Sequence, residues 1–100
     1  MRIPKKIKIG AQKITVKTVD TLGDDDMGAF FPGTNELLLA RKVSYGVIPE
    51  DQMADTFLHE IIHAVNRNFG IGLTECQTAG LAGGLLQVIR DNNLDFLNTD

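Results

Sequence analysis

Alternating apolar and polar positions near the start of the chain predict an antiparallel pair of strands. The segment Ile7–Ile9 alternates, Gly10-Ala11 suits a tight hairpin turn, and Ile14–Val19 is rich in β-branched residues. These features predict a first β-hairpin. Val19 falls out of phase with the apolar positions before it, which predicts a bulge or a strand end near Thr18.

A second hairpin is predicted by two short apolar runs around strong turn residues. Gly28–Phe31 and Glu36–Ala40 are the runs, and Pro32–Asn35 lies between them. The acidic stretch Thr21–Asp26 is interpreted as a solvated turn. The alternative, a calcium loop, lacks the twelve-position ligand pattern with its closing Glu. We interpret Arg41–Ile48 as a connector without regular structure.

Apolar residues at helical spacing predict a long helix after the hairpins. Pro49, followed by two acidic residues, has the marks of a helix start, and Gly70 is a typical stop after Phe69. On a helical wheel the apolar residues occupy one half, whereas His59 and His63 fall in a polar stripe with Thr56, Glu60 and Arg67. Such a stripe separates these histidines from core-filling positions.

A second helix is predicted from about residue 75 to Arg90. Thr74 and Gln77 have the spacing of a capping box. We expect Gly80 and Gly84, one turn apart, to let the first helix approach closely, and the apolar tail after Asn93 to fold back. Strands followed by helices predict an α+β fold in one domain, residues 1–100, with a small antiparallel sheet.

The first helix contains His59-Glu60-x-x-His63, which uses both histidines of the chain. Residues at i and i+4 are neighbours on a helix, so two imidazoles can bind one divalent metal ion. The glutamate between them is the usual general base in this motif. The motif therefore predicts a zinc site.

The third ligand is left open by the residues alone, among a carboxylate, Cys76 and water. Asn66 and Phe69 occupy the places of the Gly and His that extend the motif in metzincins, which excludes that subclass. Glu75 is the first candidate because it starts the following helix, although an acid there also stabilises any helix dipole. Asp91 lies at the far end of that helix. Cys76 is interpreted as a small buried residue.

The segment Thr56–Ala64, TFLHEIIHA, resembles the TLLHExxHA block of small zincin-like metallopeptidases encoded by phages and prophages. The resemblance extends to Ile7–Gly10 at the start and to the helix that runs from Leu73 to Asn92. It implies a minimal gluzincin fold in which a Glu on the helix after the motif is the third zinc ligand, here Glu75. It also implies a peptidase acting in the cytoplasm of a bacterial host.

The leading hypothesis is therefore zinc-dependent hydrolysis of a peptide or protein substrate, with Glu60 as general base. The strand Glu36–Ala40, if it is a sheet edge beside the helix, would bind substrate by β-addition. Tyr45 and Arg67 are candidates to stabilise the oxyanion. The alternatives are a non-catalytic metal-binding interaction module and a purely structural α+β interaction protein.

Charge and composition limit the classes of partner and the cellular compartment that we expect for this chain. The net charge is −3 and the isoelectric point is about 5.2, which argues against nucleic acid as the main partner. No apolar run approaches the roughly 20 residues that span a bilayer, and the basic start lacks the apolar segment of a signal peptide. One cysteine fits a reducing cytoplasm. The substrate, the metal loaded in cells and the oligomeric state stay open.

Overall fold

The computed structural model describes residues 2–94, 96 and 97, and the rest of the expected domain lies outside this part. Within it, strands precede helices in the order β1 (Lys6–Ile9), β2 (Gln12–Val19), β3 (Gly28–Phe31), β4 (Glu36–Ala40), β5 (Lys42–Val43), β6 (Gly46–Val47), α1 (Glu50–Phe69) and α2 (Glu75–Asn92). The predicted α+β class is confirmed. Neither helix is both long and apolar enough to cross a membrane.

Both predicted hairpins are present, and together they form a four-stranded sheet. The first turns at Gly10, whose φ of +58° is accessible to glycine without strain. The two hairpins join through a parallel pairing of β2 with β4, so the strand order is β1-β2-β4-β3. The strand Glu36–Ala40 is therefore internal, so the edge position that substrate addition to this strand would require is not present. Its partner β3 is the edge strand instead.

The connector Arg41–Ile48 contains a short hairpin, β5–β6, which was not predicted. The acidic turn is tied to this hairpin, because Asp25 accepts hydrogen bonds from the backbone N–H of Ser44 (2.7 Å) and from its hydroxyl (2.8 Å). These bonds hold the pKa of Asp25 below its usual value. They give Asp25 a structural partner, and its turn contributes no residue to the one cluster of the described residues that could hold a metal ion. The pairing of β2 stays regular as far as Val19, so this strand ends there without a bulge.

The core lies between one face of the sheet and α1. Its buried residues are apolar side chains from three strands and the helix: Ile9, Ile14, Val16, Leu37, Leu39 and Ala64. A smaller cluster of Ala40, Val43 and Ile48 lies under β5 and β6. Helix α1 begins after Pro49, carries acids in its first turn and ends at Gly70, which has a left-handed φ of +62°. The start and stop signals read from the sequence are confirmed.

The edge strand β3 approaches α1 very closely at Gly28. A methyl group added to Gly28 would lie 2.6 Å from Cγ2 of Thr56 and 3.2 Å from Cγ of Glu60. Thr56 and Glu60 are consequently buried, although the helical wheel placed them in a polar stripe. The absence of a side chain at Gly28 therefore determines how near the edge strand comes to the middle of α1.

Helix α2 starts with the predicted capping box between Thr74 and Gln77. It runs back along α1 and turns Thr78 and Ala82 inward, where both are fully buried. At Gly80 and at Gly84, no atom of a neighbouring element lies within 4 Å of the position that a Cβ would take. The prediction that α1 packs closely against these two glycines is therefore wrong. Gly80 lies about 200° around the helix from Thr78 and faces away from α1.

The tail also differs from the expectation. The described tail residues Leu94, Phe96 and Leu97 are exposed, so this part of the tail does not fold back onto the core. The other large apolar side chains exposed on α2 are those of Leu81, Leu85, Val88 and Ile89.

We predict that Gly28→Ala destabilises the protein by about 1–3 kcal/mol, the usual cost of overpacking a tight contact. Thr56→Ser removes the nearest clashing atom. The double variant should therefore lose less stability than the sum of the two single variants. Urea unfolding of all four proteins measures this coupling, and additive losses would contradict the proposed contact.

Candidate metal centre

The two histidines of the motif point towards the same place. His59 and His63 lie near the middle of α1, away from both of its ends. Their Nε2 atoms are 3.1 Å apart. The side chain of His59 is 20% exposed and that of His63 is 32% exposed. Both side chains are thus mostly enclosed by the surrounding structure and partly open to solvent.

Glu75 brings a carboxylate to both imidazoles. Its Oε1 lies 2.6 Å from Nε2 of His59 and its Oε2 lies 3.0 Å from Nε2 of His63. A tetrahedral zinc site with bonds of about 2.0–2.1 Å places its ligand atoms about 3.3 Å apart. Movements of a few tenths of an ångström would bring the three side chains to that spacing. Two imidazoles and a carboxylate are also a donor set that zinc prefers, so the residues fit this ion.

The position of Glu75 depends on the loop between the helices. The side-chain Oδ1 of Asn66 accepts hydrogen bonds from the backbone N–H groups of Gly72 (2.8 Å) and Leu73 (2.9 Å). Gly72 has a φ of +83°, a conformation that favours glycine. Because the loop is tied to the last turns of α1, α2 begins one residue after Thr74 with Glu75 facing the histidines.

Asn66 is a functional candidate that the sequence reasoning missed. It had been used only to exclude the metzincin extension. A signal was present in the sequence. An asparagine one turn before a Gly-x-Gly loop can accept hydrogen bonds from the backbone N–H groups of that loop. The signal is weak because asparagine near the end of a helix is also common as an ordinary surface residue.

Glu60 lies beside the imidazole pair on its buried side. It is 8% exposed, and its carboxylate is within 4.8 Å of the ligand nitrogens of His59 and His63. Burial raises the pKa of Glu60 above its usual value, and the negative charges of Glu75 and Asp26 raise it further, whereas the two histidines act in the opposite direction. A carboxylate with a raised pKa is a stronger base than an exposed one.

Most of the other ligand and oxyanion candidates named from the sequence lie away from the two histidines. Cys76 is exposed, so its interpretation as a buried residue is wrong; it follows Glu75 by about 100° around α2 and therefore turns away from α1. Asp91 bonds to Gln87 and Arg90 near the end of α2. Tyr45 is exposed in the β5–β6 turn. Only Arg67 of the two oxyanion candidates lines the cleft described next.

An open cleft of about 540 Å³ leads to these groups. The edge strand β3 forms one wall, through residues 28–30, and α1 with the first turn of α2 forms the other. A second recess of about 190 Å³ continues past His59 and Glu60 towards the start of α1. A larger groove of about 660 Å³, beside β1 and β2, contains none of the groups named above. The chemistry is therefore concentrated where α1, α2 and β3 meet.

We predict that Asn66→Ala frees the loop and weakens zinc binding by about 10–100-fold, as removal of an outer-shell partner does. The loss of two hydrogen bonds, one exposed and one part-buried, should also reduce the free energy of unfolding by about 1–3 kcal/mol. Isothermal titration with zinc measures the first effect, and faster amide exchange at Gly72 and Leu73 reports the second. Asn66→Asp keeps the acceptor oxygen and is the matched control. Unchanged zinc affinity in Asn66→Ala would contradict the positioning role.

Comparisons with models of protein families, with curated proteins and with solved structures found no match to this chain. What can be inferred about its function therefore depends on the site itself. The features that bear on it are the cluster of His59, His63 and Glu75, the buried Glu60, and the edge strand beside them.

Proposed function

We propose that the protein is a zinc-dependent metallopeptidase of the minimal gluzincin type. The observation that carries the proposal is the convergence of His59, His63 and Glu75, from two helices, on one point. Their donor atoms come from different parts of the chain, which an isolated helical motif would not require. A buried carboxylate of raised pKa, Glu60, adjoins the same point.

Zinc bound by this trio would supply a water molecule of lowered pKa and polarise the carbonyl of the scissile peptide bond. Glu60 would accept a proton, on a carboxylate oxygen, from the water molecule that attacks the carbonyl carbon. Glu60 then donates the proton to the amide nitrogen as the C–N bond breaks. One water is consumed, and a carboxylate and an amine are released.

The edge strand β3 supports binding of an extended peptide. In the described sheet β3 pairs with β4 on one side only, so backbone groups on its other edge are open to the cleft. A substrate peptide adds to such an edge as a further strand and thereby presents its backbone carbonyls to the neighbouring site. In this proposal β3 takes the role that the sequence reasoning gave to Glu36–Ala40.

One specific observation favours a competing role. Glu60 lies within 4.8 Å of both imidazole nitrogens, near enough to become a fourth protein ligand after a small movement. Four protein ligands would close the zinc shell, and closed shells are typical of structural sites. The protein would then be a non-catalytic metal-binding interaction module. The two arrangements predict different effects of substitutions at Glu60.

We predict that the purified protein binds one zinc ion per chain and that Glu75→Ala removes a direct ligand. Zinc affinity should therefore fall by more than the roughly 10–100-fold that loss of an outer-shell partner costs. Elemental analysis and competition with a chromogenic chelator measure stoichiometry and affinity. Asp91→Ala removes an exposed acid from the same helix and is the control. Equal affinity in Glu75→Ala and the unchanged protein would exclude Glu75 as a ligand.

We predict that Glu60→Gln retains zinc and loses hydrolysis of a peptide library by about 10²–10⁴-fold, the range for removal of a general base. The amide keeps the size of the side chain but cannot accept the proton. Product analysis by mass spectrometry measures cleavage, with Asp91→Asn as control. Undiminished cleavage would contradict the mechanism. A loss of zinc as large as in Glu75→Ala would instead identify Glu60 as a fourth ligand and favour the non-catalytic module.

A further inference from the structure

Free charges of opposite sign lie at the two ends of the site. At one end, Arg67 lines the larger cleft beside β3, and no ion pair or hydrogen bond of its guanidinium is recorded among the described residues. By contrast, Arg41 bonds to Asp20 and Arg90 bonds to Asp91. Arg67 is thus a cation that is available to a ligand in the cleft.

The other end of the site is acidic. Asp55 lines the smaller recess, and its Oδ1 is buried without a hydrogen-bond partner among the described residues. A cationic group of a ligand in the recess would pair with the Asp55 carboxylate.

The direction of a bound peptide follows from the direction of β3. At its start β3 adjoins Thr56 and the recess of Asp55, and residues 28–30 extend into the cleft that contains Arg67. Antiparallel pairing is the more stable arrangement for an added strand. A peptide antiparallel to β3 therefore passes Arg67 first and the acidic end last, so its N-terminal part lies against Arg67.

The spacing of the charges sets their distance from the scissile bond. Asp55 and Arg67 are separated by about 18 Å along α1, at about 1.5 Å per residue. An extended peptide covers that length in about five or six residues. The midpoint lies between His59 and His63. The charged side chains of a complementary peptide would thus stand about two or three residues from the scissile bond, on either side.

We propose that the cleft selects peptides that carry acidic side chains on the N-terminal side of the scissile bond and basic side chains on the C-terminal side. Arg67 binds the acidic part of the peptide, and Asp55 binds the basic part. This inference rests on the proposed peptidase function and names its substrate class.

The test uses two peptides with the same apolar centre of two residues. One has two glutamates on the N-terminal side and two lysines on the C-terminal side, and the other has these flanks exchanged. The first peptide should have a kcat/KM about tenfold higher, since each ion pair contributes roughly two- to fivefold. The preference should diminish as salt is added. In Arg67→Glu it should shrink or reverse, whereas Lys8→Glu, with the same change in net charge on an exposed strand residue, should retain it.

A binding measurement distinguishes failure of this inference from failure of the proposed peptidase function. The affinity of both peptides for the Glu60→Gln protein, measured by fluorescence anisotropy, should show the same preference and the same dependence on Arg67 without any turnover. If neither peptide is cleaved but the preference in binding is present, the peptidase proposal fails and the charge-reading cleft stands. Equal cleavage and equal binding of the two peptides would overturn the inference and leave the peptidase proposal intact. A loss of kcat in Arg67→Glu that is equal for both peptides would also overturn it, because it would place Arg67 at the oxyanion.

Discussion

The contact between the first turn of α2 and the middle of α1 is the interaction on which the site depends. It places the Glu75 carboxylate within 3.0 Å of two imidazoles that α1 alone would hold as a pair. That contact requires the chain to reverse within a few residues after Phe69. Left-handed conformations at Gly70 and Gly72 make the reversal possible, and Asn66 ties it to α1. The capping box at Thr74 then starts the second helix at the point where Glu75 faces the histidines.

The opposite side of α1 is constrained by the edge strand. Because Gly28 has no side chain, β3 lies against Thr56 and Glu60, and the carboxylate of Glu60 is removed from most of the solvent. The same approach that raises the pKa of Glu60 also creates the wall of the cleft. Helix α1 thus contacts all three parts of the candidate site: the Glu75 carboxylate, the buried side chain of Glu60 and the strand that forms the cleft wall.

Local signals in the sequence predicted most of the elements, and non-local contacts account for what was missed. Both hairpins and both helices follow from alternation, turn residues, caps and stops, each of which acts within a few positions. The parallel pairing of β2 with β4 joins segments separated by a whole hairpin, and no local pattern specifies it. For this reason the sequence left open whether Glu36–Ala40 is an edge strand. The glycines of α2 were misplaced for a related reason, since their spacing predicts a common face but not which face meets α1. The histidine pair could be predicted because its chemistry is local, whereas Asn66 acts through a loop whose course is visible only in three dimensions.

A crystal structure of the protein grown with zinc would test the central claim most directly. The account predicts one ion coordinated by Nε2 of His59, Nε2 of His63 and the Glu75 carboxylate, with one coordination position open to the cleft beside Glu60. An ion closed off by Glu60 as a fourth protein ligand would contradict the catalytic proposal. A crystal without zinc at this trio would contradict the metal centre itself.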